Sequence, residues 1–194
     1  MHDVTGDGAF AQASYQVRFD WGRAGLRRLA PCDVVVVVDV LGEAEDAARE
    51  VVTGLVPPDA LVLRGGLRNA AAVARACLDE QARRGGRTSI GVVAVGGAAR
   101  GEARDDAGEA RFAVEDLLGA GAVVAALTDL GIDHSSPEAA VACEGFLGLR
   151  RALGHLLISS GSGRAIVAAD PAALADVHDA ARLDADDDPR PLRG

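Results

Sequence analysis

Residues Val34–Val38 are five consecutive valines. β-Branched side chains lose rotamer freedom in a helix and pack well on a pleated surface, so the run reads as a strand. Successive strand residues point to opposite faces, and here every one is apolar, so both faces must be covered. Strands of that kind belong to parallel sheets with helices on either side. The valine run therefore predicts an α/β fold: a three-layer α/β/α domain around a mostly buried, mixed or parallel central sheet.

The flanking pattern agrees. Tyr15 to Phe19 alternates as a strand, and Arg23 to Ala30 is a short helix closed by Pro31. After the valines, Glu43 to Thr53 reads as a helix, Ala60 to Leu63 as a short strand, and Arg68 to Arg84 as a long helix stopped by Gly85 and Gly86. Ser89 to Val95 is a second buried strand. A charged loop from Arg100 to Arg111 leads to a helix from Ala113 to Leu130, and Ser136-Pro137 starts another that runs to Leu153. Leu156 to Ile158 reads as a short strand, Ser159 to Gly163 as a polar loop, and Pro171 to Leu183 as the final helix. Alternation of strands and helices is the α/β pattern. The segments divide the chain into a flexible N-terminus (1–13), one domain (14–183) and an acidic C-terminal tail (184–194).

Composition narrows the function. A formal net charge of −9 argues against nucleic acid and anionic membranes as partners. There is no run of 18 uncharged apolar residues to span a bilayer, and Met1 to Phe10 has no apolar stretch of the secretory kind. Cys32, Cys77 and Cys143 are odd in number, widely spaced and without metal-ligand spacing, so they read as small core residues in a reducing cytoplasm. His2, His134, His155 and His178 have no partners at ligand spacing.

Four places could carry chemistry. Asp39 directly follows the valine strand, where ligands of open α/β sheets bind; it is either a hard-cation ligand or a turn acceptor. Glu115 and Asp116 open a helix, where the dipole alone stabilises carboxylates by about 0.3–1 kcal/mol each. Alternatively they bind a divalent cation or do acid–base work. Adjacent helical positions lie about 100° apart, so one of the pair can address a site while the other caps or pairs. The Gly119 and Gly121 that follow call for a close helix–sheet or helix–helix contact, since glycine inside a helix costs about 1 kcal/mol against alanine. Ser160 to Arg164, a Gly/Ser stretch with an arginine, is either an anion cradle or an ordinary loop, and Arg68-Asn69 either holds an anion or caps its helix.

Taken in order, several of these blocks resemble the 2-phosphosulfolactate phosphatase family. They are Tyr15 to Gly22 (Tyr-Gln-Val-Arg-Phe-Asp-Trp-Gly), Asp33 to Leu41 with its valines, Leu67 to Ala74 (Leu-Arg-Asn-Ala-Ala-Ala-Val-Ala), Val114 to Ala122 (Val-Glu-Asp-Leu-Leu-Gly-Ala-Gly-Ala), Ser162-Gly163-Arg164, and the terminal pattern Asp176-Val177, Leu183-Asp184, Pro191-Leu192. The resemblance implies an α/β/α fold and Mg2+-dependent hydrolysis of a small anionic phosphoester to sulfolactate and phosphate, a step of coenzyme M biosynthesis. It also implies a self-associating, dimeric protein. By matching motif, Asp39, Glu115 and Asp116 would form the metal-facing, catalytic side. Arg68, Asn69, Ser162, Gly163 and Arg164 would face the anion.

The chain departs from that pattern in its middle. Leu41 reaches Arg68-Asn69 through Gly42 to Leu67 alone, without the long segment and Asn-Gly loop of the family, and Gly42-Glu43-Ala44 replaces its polar turn. A second expectation follows: a relative that has lost catalysis and serves as a small-anion binder or oligomer partner. Loss of strands would also open a sheet edge.

Overall fold

The computed structural model describes residues 8–42, 45–97 and 111–193. The expectations placed on residues 1–7, His2 among them, on the start of the helix at Glu43 and on most of the charged loop lie outside the described residues. Five strands form one mixed sheet: β1 (Val17–Trp21), β2 (Val34–Val38), β3 (Leu61–Gly65), β4 (Ile90–Ala94) and β5 (Pro191–Arg193). Their order across the sheet is β1-β4-β2-β3-β5. The first three pairings are parallel, and β3–β5 is antiparallel.

The valine run is β2, at the centre and fully buried. Its odd and even positions feed two different cores, as a strand with two apolar faces requires. Val35 and Val37 pack beneath α1 (Gly22–Arg28) and α2 (Glu45–Val52) with Leu26, Leu29 and Val51. Val34, Val36 and Val38 face the larger core under α3 (Ala70–Arg84) and α4 (Val114–Asp129), with α5 (Pro137–Leu149) laid on α4. This is the three-layer arrangement. Among the described residues, no helix is long and apolar enough to cross a membrane.

The two helical glycines divide the contacts between them. A Cβ on Gly119 would stand 2.5 Å from Val40 Cγ2 and 2.9 Å from Val38 Cγ1, where α4 presses on the end of β2. One on Gly121 would lie 2.1 Å from the carbonyl oxygen of Ala142, where α4 crosses α5. Gly85 closes α3 in the left-handed conformation, at φ 69°.

Three expectations are corrected. Leu156 to Ile158 is not a strand, and Ser159 to Gly163 is not a loop: they belong to α6 (Leu153–Ser159) and α7 (Gly161–Ala169). Ser160 separates the helices and caps the second, its hydroxyl accepting the Gly163 N–H at 3.0 Å. The tail beyond Asp184 is bound, not free. Its last residues form β5, Leu192 is buried, and Asp184 Oδ1 accepts the Ala71 N–H at 2.8 Å in the first turn of α3. β5 also covers the edge of β3. At the other terminus Ala11 and Gln12 are buried, and the Gln12 amide exchanges two hydrogen bonds with the Phe19 backbone.

Two carboxylates tie β2 to β4, one at each end. At the amino ends, Asp33 Oδ2 accepts both the N–H and the hydroxyl of Ser89 at 2.7 Å. Burial favours its neutral form, but those bonds and the Arg84 and Arg18 charges outweigh it and hold the carboxyl below its ordinary value. Asp116 does the corresponding work at the carboxyl ends.

Candidate functional site

Asp116 stands in the first turn of α4, buried, with each carboxylate oxygen on a different strand end. Oδ1 accepts the Val40 N–H at 2.8 Å, and Oδ2 accepts the Gly96 N–H at 2.9 Å. Burial first, and then the charge of Asp39, push this carboxyl well above the ordinary range, against the pull of the two amides. Asp116 is therefore a clamp across the crevice where a parallel sheet binds ligands.

Asp39 follows β2 directly. Its carboxylate accepts the backbone N–H of Gly42 and lies beside the Arg64 guanidinium. A Cβ on Gly42 would stand 1.8 Å from Asp39 Oδ2, so only glycine allows the turn to close here. Burial raises the Asp39 carboxyl, Glu115 adds to the rise, and Arg64 and the Gly42 amide oppose it. Glu115 is buried beside them, 3% exposed. The three acids thus gather beyond the ends of β2 and β4, close enough for their charges to be coupled.

A cleft of about 60 Å3 opens next to Asp39. Its charged lining is Asp39, Arg64, Arg68 and Arg190, with Asn69, Gly65 and Gly66 between them. Three guanidiniums and one carboxylate thus line this cleft on an acidic protein. Two of the three are in ion pairs. Arg68 donates to the carbonyl and the carboxylate of Asp179, and Arg190 pairs with Asp186. Asn69 uses both N–H bonds of its amide on backbone, donating to the Arg64 and Asp188 carbonyls at 3.0 Å.

The remaining expected residues separate. Ser162 lies near the chain just beyond β4, its hydroxyl 3.6 Å from where a Cβ on Gly97 would be. Gly163 has its N–H on Ser160, and a Cβ there would lie 2.0 Å from the Leu157 carbonyl oxygen; it is a packing glycine. Arg164 is exposed on α7 and does not line the cleft. The motif is thus divided.

Sequence reasoning missed Gly42, Arg64 and Arg190. Arg64 had a signal: a cation as the fourth residue of an otherwise apolar strand, ahead of Gly65-Gly66. Gly42 and Arg190 owe their place to the path of the chain, which no local pattern encodes.

Among the described residues no group of three His, Cys, Asp or Glu side chains is set to grip a metal. Mg2+ does not demand one: it is commonly held by one or two carboxylates, with waters and substrate phosphate completing the shell. Buried carboxylates are hard oxygen donors that a cation would neutralise, and Asp116, with both oxygens on amides, leaves Asp39 and Glu115 as the acids that would hold one. No protein-family profile matches the chain, and no curated protein matches it.

Proposed function

We propose that this chain is a Mg2+-dependent phosphatase for a small, multiply anionic phosphoester of the 2-phosphosulfolactate kind, releasing sulfolactate and phosphate. The observation that supports it is the gathering of Asp39, Glu115 and Asp116 at the carboxyl ends of β2 and β4, beside an arginine-lined cleft. Asp39 and Glu115 would hold the cation, which when bound supplies charge to the ester oxygens and acidifies water. Asp116 fixes the two strand ends, and with them the distance between Asp39 and Gly96. One of Asp39 and Glu115 orients the attacking water, and the cleft beside Asp39 receives one anionic group of the ester. On the same reading the protein is a cytoplasmic homodimer, and light scattering after size exclusion checks the oligomer.

The test is phosphate release from 2-phosphosulfolactate and from generic phosphate esters, with and without Mg2+. Mg2+-dependent release is expected. Its absence at every Mg2+ and substrate concentration would contradict the reading and leave the second one: a small-anion binder without catalysis. The loss of catalysis in that alternative has its own support, because both carboxylate oxygens of Asp116 are spent on backbone amides.

A further inference from the structure

We propose that Arg64 is the residue that receives the oxyanion of the ligand and selects for it. The inference rests on the site assignment above, though not on turnover. Arg64 ends the apolar part of β3, paired in register with Val37 of the buried central strand, so its Cα is fixed by the sheet on that side. Its Nη2 donates to the Gly42 carbonyl at 2.7 Å, which anchors the guanidinium over the turn that carries Asp39. A guanidinium has five N–H groups in a planar fork, and that contact uses one. Among the described residues Arg64 makes no ion pair within bonding distance, whereas Arg68 and Arg190, the other cations of the cleft, are taken by Asp179 and Asp186.

Size and charge define the ligand class. A cleft of about 60 Å3 has room for one small oxyanion group. A planar fork matches the oxygen edges of phosphate, sulfonate or carboxylate bidentately. Gly66 adds no side chain to the lining: a Cβ there would meet only Val40 Cγ2, at 3.9 Å. Asp39, beside Arg64 in the same lining, places the bound oxyanion next to the acid cluster, where a phosphoester has to lie for the proposed reaction.

Calorimetric titration of the whole protein with inorganic phosphate, and separately with methanesulfonate, tests this without asking for catalysis. Arg64→Gln should weaken binding of at least one probe by about tenfold or more. Arg64→Lys, which keeps the charge and loses the fork, should fall between. Arg68→Gln should stay within about threefold of the unaltered protein. The probe that responds identifies the oxyanion Arg64 holds. Thermal melts identify variants that fold, and if Arg64→Gln does not, the Lys and Arg68 variants carry the comparison. Binding in a folded Arg64 variant that matches the unaltered protein overturns the proposal, as does a larger loss in Arg68→Gln, or an unaltered protein that takes up neither probe. Arg64-dependent binding without phosphate release would refute the hydrolase alone; release with a KM indifferent to Arg64 would refute Arg64 alone.

Discussion

Asp116 Oδ1 accepts the backbone N–H of Val40 at 2.8 Å across 76 residues of sequence. With Gly96 on the other oxygen, one side chain closes the top of β2 against the top of β4. Replacing it with alanine strands two amide donors, and an unsatisfied buried donor costs about 1–3 kcal/mol. Asp116→Asn keeps one acceptor and turns an NH2 group toward the other amide. We expect Asp116→Ala to lose about 2–4 kcal/mol in urea unfolding and Asp116→Asn less than that.

Glycines on the neighbouring helices should respond with opposite signs. Gly121→Ala drives a Cβ to 2.1 Å from the Ala142 carbonyl oxygen, so α4 and α5 must part, at a cost of about 1–3 kcal/mol. Gly145, inside α5, has nothing within 4 Å of a Cβ, so Gly145→Ala should stabilise by about 0.5–1 kcal/mol. Melting temperatures of the two variants check the pair.

Acid should weaken one ion-pair cluster at a defined pH. The Glu80 carboxylate takes hydrogen bonds from Arg83 and Arg84 at 2.6 Å, and the Arg83 bond above all holds its pKa down at about 2. A carboxyl lowered on folding contributes stability above its unfolded value, near 4.5, and loses it as pH falls toward 2. The stability gap between the unaltered protein and Glu80→Gln should therefore be largest above pH 5 and close as pH drops through that window. A gap that widens in acid would contradict the assignment.

The C-terminus should prove structural. Removing residues 184–194 deletes β5, the Asp184 contact to Ala71 and the Asp188 carbonyl that receives Asn69. It also bares the backbone of β3 as an open edge, which promotes pairing with other chains. We expect a lower melting temperature together with concentration-dependent association on size exclusion.

What could be read from the sequence was what local physics decides. Val34–Val38 specified β2 to the residue, because five β-branched side chains have one economical setting, and Gly119 and Gly121 announced the close contacts of α4. Leu156 to Ile158 misled because three aliphatic residues suit either a strand or a buried helix. Ser159 to Gly163 misled because Ser160 is a cap, legible only once α7 is known to follow. β5 is three residues beginning with proline, tolerable on a sheet edge and without period. At the site, the acids were visible as residue types at a strand end and a helix head. Their coupling was not, because it depends on Asp116 reaching across two strands. Nor was Arg64, whose meaning depends on the Gly42 turn beside it.

The most direct test of the acid cluster as a working site is kcat/KM for phosphate release from 2-phosphosulfolactate across a Mg2+ series, in the unaltered protein, Asp39→Asn and Glu115→Gln. The expected result is Mg2+-dependent release that falls by more than about tenfold, roughly 1.4 kcal/mol in the barrier, in each variant. Release that is absent throughout, or that persists unchanged in both folded variants, would contradict it.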